Sequence, residues 1–516
     1  MCRCSTSAPS PAMHSLPDTR KRSRRRRRHA VPGLGRTGPP PLEVQPLHLA
    51  GAALVAQPHT PLQQLGRHHV PPRAGHQLGR GRRCSTRCQP RRPARQTQLL
   101  RAAVPVHRRP QQQQPASPPP SAPCHGSPSS TWLAGEIPSE VGNLRRLTQL
   151  GLLYNNFTGR IPASLGNLTM LTVLSLHQNM LSGDIPLELG RLVRLQALQL
   201  SSNSLTASIP ASLGNLTQLQ ILDLYGNQLS GPIPQEIGML SNLTVLDLSE
   251  NLLSGSIPPS LGELTGLNYL SFYGNLIEGS IPQSIGNLTG LNALILSNNK
   301  IAGSIPPTIG NLTKLNQLSL YTNRIAGSIP RTIGNLALLN ILELYDNQIS
   351  GPMPDEMGNL INIGILYLDG NEISGSIPAT FGNLTNMRNL SLFDNQLSGT
   401  LPREFANLTG MVKFSIGNNS ISGSFPSDVC KGGRLQMFVV GMNNLSGSFP
   451  ASLRTCSSLT HIDISFNKFT GDISQHFGVY PQLVKANLRS NDLHGELTPN
   501  WAASPTMIMF NAQEKT

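Results

Sequence analysis

The chain has 516 residues, with 41 lysines and arginines against 26 acidic residues and a formal charge of +15. That charge invites a nucleic-acid or membrane partner, but it averages two unlike pieces: residues 1–130 hold 22 of the basic and 2 of the acidic residues, which leaves 19 basic against 24 acidic in the rest. The larger part is mildly acidic, no nucleic-acid partner is expected for it, and without a run of 18 apolar residues no membrane span is expected.

From Met1 to Ser130 the chain is Arg, Pro, Ala, Gln and Ser, with the block RKRSRRRRRH at Arg20–His29 and four glutamines at Gln111–Gln114. Such a composition cannot bury a core, so a disordered Arg/Pro-rich segment is expected. Three readings of it stand side by side. The arginine block suits a nuclear-localisation or nucleic-acid patch, and an Arg- and Ser-rich, acid-poor leader suits an organelle transit peptide. The third is a wrong reading frame or mis-joined exon: the segment has no Ile, Asn, Phe or Tyr and only Lys21, as GC-rich coding DNA read out of frame would give. The apolar stretch Leu49–Ala56 lies too far from Met1 for a signal-peptide core, so no signal peptide is expected.

Residues 131–516 repeat one 24-residue unit, clearest at Leu171–Arg194, LTVLSLHQNMLSGDIPLELGRLVR. Its fixed point is an asparagine that recurs without insertion from Asn155 to Asn491, giving fifteen units. A short fixed period marks a solenoid, and LxxLxLxxNxL is the spelling of a leucine-rich repeat. The expected fold is an α/β solenoid, a superhelix of about fifteen 24-residue repeats with a parallel sheet on the concave face. Leu174 and Leu176 alternate with polar residues as a half-buried strand requires. The asparagine amide should then satisfy backbone groups at the turn, forming a ladder from coil to coil. Gly follows four residues on in every unit but one, where Ala207 stands, and suits a bend that a side chain would obstruct. Pro follows seven residues on except at Ser474 and Thr498, and GNLT-type segments should close each coil as a short helix or 3₁₀ turn. The first unit starts in mid-repeat at Leu133–Pro138, with Thr131 in the ladder position. Lys515 falls on that position in a sixteenth, so both ends are expected to be uncapped.

The residue two before each ladder asparagine should point out of the sheet. That column carries Tyr225, Tyr273 and Tyr321 on alternate coils, about 9.6 Å apart, then Tyr345, Asp369 and Phe393, with Tyr367 entering from the next outward column. With Glu343, Asp346 and Asp394 nearby, these residues form a candidate site for an extended peptide bearing a basic or N-terminal amine group, matched at every third residue. The plainer alternative is that Tyr is a common strand residue. Eleven N-x-S/T sequons are candidate glycosylation sites: Asn156, Asn167, Asn215, Asn242, Asn287, Asn311, Asn383, Asn389, Asn407, Asn418 and Asn444. Cys430 and Cys456 are 26 residues apart, hence on adjacent coils, either as a disulfide or as two small buried thiols. His177, His461, His476 and His494 have no regularly spaced partner and are read as exposed polar positions. No catalytic residue, metal or cofactor is expected.

With the SGxIP-type half of the unit, VCKGGRLQ at Val429–Gln436, then Cys456, GDISQHFG and GELTPNW, the chain resembles the ectodomain of plant leucine-rich-repeat receptor-like kinases over residues 133–498. The resemblance implies peptide perception in signalling or defence, an extracellular or plasma-membrane location, N-glycosylation, and a co-receptor leucine-rich-repeat protein. It also implies a membrane span and a cytoplasmic Ser/Thr kinase, although no Gly-rich loop, HRD or DFG occurs in this sequence. The Arg-x-Arg pair with which some relatives hold a peptide carboxylate is missing. Two other classes stay open: a wall-located repeat protein that inhibits microbial polysaccharide-degrading enzymes, and an intracellular scaffold.

Overall fold

The computed structural model describes residues 132–513. The expectations of disorder, targeting or a shifted frame for residues 1–130, and of an uncapped end at Lys515, lie outside the described residues. Within them, sixteen three-residue strands from Gln149–Gly151 to Met509–Asn511 form one parallel sheet. Each strand pairs with the equivalent residues of the next coil, as in Val245 with Tyr269, Leu246 with Leu270 and Asp247 with Ser271. The register never slips because the repeat length never changes.

Alternation sets the two faces. Leu174, Leu176 and their counterparts point inward and are fully buried, as are Leu165, Leu168, Leu171 and Leu181 of the same coil. The core is thus a set of aliphatic columns running the length of the array, each layer covered by its neighbours. Burying such a side chain is worth roughly 1.5–3 kcal/mol.

The strand ends at a corner whose geometry composition alone did not reveal. The residue before every ladder asparagine has a positive φ: Tyr154, Gln178, Asp346 and Asp394 are examples, and Gly226, Gly274 and Gly370 take the position in three coils. This left-handed residue swings the asparagine inward. Asn275 then donates from Nδ2 to Leu248 O of the preceding coil at 3.0 Å and to Phe272 O and Tyr273 O of its own, while its Oδ1 accepts from Leu253 N at 3.0 Å. The same pattern is present at Asn491.

Beyond the corner the SGxIP half does more than turn the chain. It forms short parallel strands of its own, such as Arg324–Gly327, Gln348–Pro352 and Glu372–Gly375, which pair from coil to coil in separate small sheets. The glycine there has a positive φ, +78° at Gly327, and Ala207 is forced to +62° in the one coil that lacks it. Proline then precedes a 3₁₀ turn, as Pro162 does before Ala163–Asn167, its fixed φ suiting the entry to the turn. Fourteen such turns close the coils, and Ile473–His476 is the one α-helix among the described residues, so the helical side of the solenoid is 3₁₀.

A second glycine, in the GN pair, is demanded by close approach. A Cβ at Gly310 would lie 2.5 Å from the Thr332 carbonyl of the next coil. Ala406, Cys430, Arg454 and Ala502 replace this glycine; the coils after Ala406 and Arg454 depart from the pattern, at the irregular turns of residues 427–433 and at the Ile473–His476 helix, while the coil after Cys430 keeps its 3₁₀ turn at Ala451–Thr455. Those coils are held by other means. A disulfide joins Cys430 to Cys456 with Cα atoms 6.0 Å apart, and Phe405, Phe414, Phe425, Phe438, Phe449 and Phe477 make an unbroken run of ring contacts through the core.

Replacing Asn275 with alanine strands the Leu253 amide in the core, while the Leu248 carbonyl keeps its bond from Asn251, and should cost about 1–3 kcal/mol for the unpaired amide. Local bonding at Asn491 is the same, so a smaller loss there would reflect the looser end of the array. Urea unfolding of both variants measures this, and a negligible loss at Asn275 would contradict the ladder.

Candidate ligand surface

Four of the ten sequence-predicted residues make one object. The ring centroids of Tyr273 and Tyr321 are 6.4 Å apart, Tyr321 stacks on Tyr345 at 4.4 Å and 6°, and Tyr345 meets Tyr367 edge-on at 6.4 Å. Four half-exposed rings therefore run without a gap along the outward face of the sheet. This corrects the expectation of separate anchors about 9.6 Å apart. Between Tyr273 and Tyr321 the column holds only Ser297, fully buried beneath them, so the two rings lean together over the small residue and gain contact with each other. The comb that would match every third residue of a strand is absent; a continuous aromatic strip replaces it.

The Tyr225 hydroxyl donates to Glu250 at 3.3 Å. Phe393 lies exposed at the other end, its ring resting over Gly417, where a Cβ would come within 3.0 Å. Tyr269 and Lys413 were missed by column reading because both lie six residues before the ladder asparagine, at the entrance to the strand. Tyr269 is buried beside the strip, and the Lys413 ammonium sits over the Tyr367 ring at 4.9 Å. A cation over a ring at that range is attractive.

The acidic residues divide in a way that side-chain lists could not show. Glu343 is only 4% exposed and accepts the Ser319 hydroxyl at 2.6 Å. Burial pushes its carboxyl above the usual range, with the Ser319 bond opposing. Asp369 is also raised by burial, opposed by the Ser391 hydroxyl and by Lys413, and it further accepts the Phe393 amide at 3.2 Å. Neither is the open acidic contact that the sequence suggested. Asp346 and Asp394 are exposed, but they occupy the left-handed corner and sit on the rim of the face, beside the strip.

The histidines are likewise more enclosed than expected. His177 is half-buried against Tyr154, His461 contacts Thr460, His476 bonds the Asp472 carbonyl, and only His494 is exposed. Among the described residues no group of three His, Cys, Asp or Glu could hold a metal ion, and no helix is long and apolar enough to cross a membrane.

The sequons separate by accessibility. Asn167, Asn215, Asn287, Asn311, Asn383 and Asn407 each end a 3₁₀ turn and are exposed on the side away from the sheet, and Asn156 and Asn444 are exposed on the flank. Asn242 already donates its Nδ2 to Thr217 O at 2.8 Å. Asn389 is half-buried in a strand, and Asn418 sits at a left-handed corner with its Nδ2 on Asp394.

Because the folded-state pKa of Glu343 is raised, its contribution to stability is full below the ordinary carboxylate range and is lost as pH rises through the raised value. Glu343→Gln keeps an acceptor for Ser319 and should leave the protein at least as stable at neutral pH while flattening this part of the pH dependence. Melting temperatures from about pH 4 to pH 8 test it; a clear fall at neutral pH would mean that the charged form is needed. In protein passed through a glycosylating pathway, glycopeptide mapping should find sugar on the six turn-end sites and leave Asn389 and Asn418 bare. Sugar on Asn389 would cover the strip beside Tyr367 and count against a ligand there.

The family description "Leucine-rich repeat region" matches residues 211–325 and 303–507, and "Leucine Rich Repeat" matches 170–192 and 194–216. Among solved structures the chain is similar to the plant peptide hormone receptor RGFR1 in complex with RGF2, at 36% identity and TM-score 0.70 over 74% of this chain and 61% of that one. It is similar to the Arabidopsis receptor kinase HAESA in complex with the peptide hormone IDA and the co-receptor SERK1, at 32% identity and TM-score 0.70 over 75% of this chain and 65% of that one. PEPR1–AtPEP1 follows at 29% and 0.56, over 74% and 64%. The chain thus spans less than two thirds of each of these receptor structures. Comparison with curated proteins gives no match.

Proposed function

Because the chain belongs to the leucine-rich-repeat family, in the form found in plant receptor-kinase ectodomains, we propose that it is a ligand-sensing array that binds an extended peptide along its tyrosine strip. The observation that carries this reading is the unbroken run Tyr273–Tyr321–Tyr345–Tyr367 along the outward face of the sheet. Rings with a polar tip bury large area at little entropic cost and dominate binding energy where they cluster. The similar receptors RGFR1, HAESA and PEPR1 are described with peptide ligands, and HAESA with a co-receptor, which supports the same class of partner here.

The strip suits the side of a peptide laid along the array, with apolar groups on the rings. Asp346 and Asp394 at the rim favour an amine or basic side chain reaching over the edge, while Glu343 and Asp369 act from beneath by fixing Ser319, Ser391 and the Phe393 amide. An extracellular location, a co-receptor, and signalling through a kinase in a longer protein belong to this same proposal.

The test is a titration with IDA, RGF2 and AtPEP1 peptides, carrying the tightest binder forward. The double variant Tyr321→Ala, Tyr345→Ala should weaken that binding by about 10- to 100-fold, corresponding to ~1.4–2.8 kcal/mol, at constant melting temperature. Equal binding by parent and variant would move the ligand off the strip.

A further inference from the structure

A second surface lies on the flank of the same array, where the chain enters each strand. Here the residues seven before the ladder asparagines read Asn268, Asn292, Asn316 and Asn340, then Gly364 and Arg388. Gly364 breaks the column, and Asn340 leans into the space that a Cβ would fill, 3.3 Å from its Nδ2. The result is a groove of about 830 Å³ that runs from Asn292 to Val412, and a smaller one of about 340 Å³ continues past Arg388 to Arg434.

The amides along it are oriented by the backbone. Asn316 donates to Leu338 O at 3.3 Å, Asn340 to Asn362 O at 3.0 Å, Asn362 to Ala337 O at 2.8 Å and Asn386 to Ile361 O at 2.9 Å. Each of these four amides gives one N–H to a backbone carbonyl, which fixes which end of the amide is oxygen. The Oδ1 atoms accept nothing from the described residues, so the groove presents a row of acceptors. Interleaved with them are the exposed cations Lys314, Arg388 and Arg434. No acidic residue occurs in residues 288–292, 312–316, 336–340, 360–364, 384–388, 408–412 or 432–436. In a repeat domain that is acidic as a whole, and whose sheet face carries Asp223, Asp247, Glu343 and Asp369, this flank has been kept free of negative charge.

We propose that this groove binds an acidic oligosaccharide, a chain of hydroxylated sugar acids. Acceptors fixed by the backbone call for a ligand rich in hydroxyl donors, and cations spread over several coils call for one with carboxylates at intervals. An acidic peptide offers the charges but one backbone donor per residue, already committed in direction. The groove adjoins the tyrosine strip at Asn389 but is lined by other residues along the rest of its length, and it does not depend on the peptide reading.

The probe is a fluorescent oligomer of uronic acid, titrated into the full chain and compared with a neutral oligosaccharide of equal length and with polyglutamate. Lys314, Arg388 and Arg434 are exposed, so the triple variant Lys314→Gln, Arg388→Gln, Arg434→Gln should fold with an unchanged melting temperature. It should lose the uronic-acid oligomer by about tenfold or more, and the loss should shrink as salt is raised. Tyr345→Ala should bind it as the parent does. A photo-crosslinking version of the oligomer should map to residues 292–434. Equal binding of parent and triple variant, crosslinks confined to the basic residues 1–130, or polyglutamate binding as tightly at the same residues would each overturn the proposal.

Discussion

The structure rests on one side-chain amide repeated in register. Each ladder asparagine satisfies carbonyls of two successive coils and one amide of the preceding coil, in a buried or half-buried corner where the left-handed turn has pulled the backbone off the sheet. Neither aspartate nor leucine could replace it: the corner needs donors and an acceptor on one short planar group. Because the amide bonds backward as well as locally, no coil is complete without its neighbour. Coil spacing, sheet register and the invariance of the 24-residue period all follow from that shared bonding.

A rigid lattice of this kind leaves the outward positions free to vary, and there the chain has sorted its chemistry by face. Half-exposed rings and buried carboxylates lie on the sheet, cations and amides on the strand-entry flank, and sequons chiefly at the turn ends. The acids under the sheet face show why residue type alone is a poor guide to ligand charge. Glu343 and Asp369 each hold a serine hydroxyl and have their carboxyl pKa raised by burial, so their oxygens are spent within the face and shape its surface.

Toward residues 400–480 the array changes its means of support. The close-approach glycine is replaced at Ala406, Cys430 and Arg454 in this stretch, and the regular 3₁₀ closure gives way after Ala406 and after Arg454 but holds after Cys430. The phenylalanine run and the Cys430–Cys456 link supply volume and covalent constraint in the coils concerned. The irregular coils are therefore compensated locally, and the sheet passes through them unbroken.

The repeat length, the strand positions, the inward leucines and the ladder asparagines were legible in the sequence because each is set by a local period and each recurs in every coil, so that chance cannot imitate them. The tyrosines were legible as a column for the same reason. What the column could not give was the lean of Tyr273 and Tyr321 over Ser297, the depth of Glu343, or the seat of Lys413 over Tyr367, since these depend on how residues of different columns and coils share space. The left-handed corner, the small sheets of the SGxIP half and the flank groove at Gly364 escaped sequence reading too. Each arises from the packing of one coil against the next, and only the stacked coils decide it.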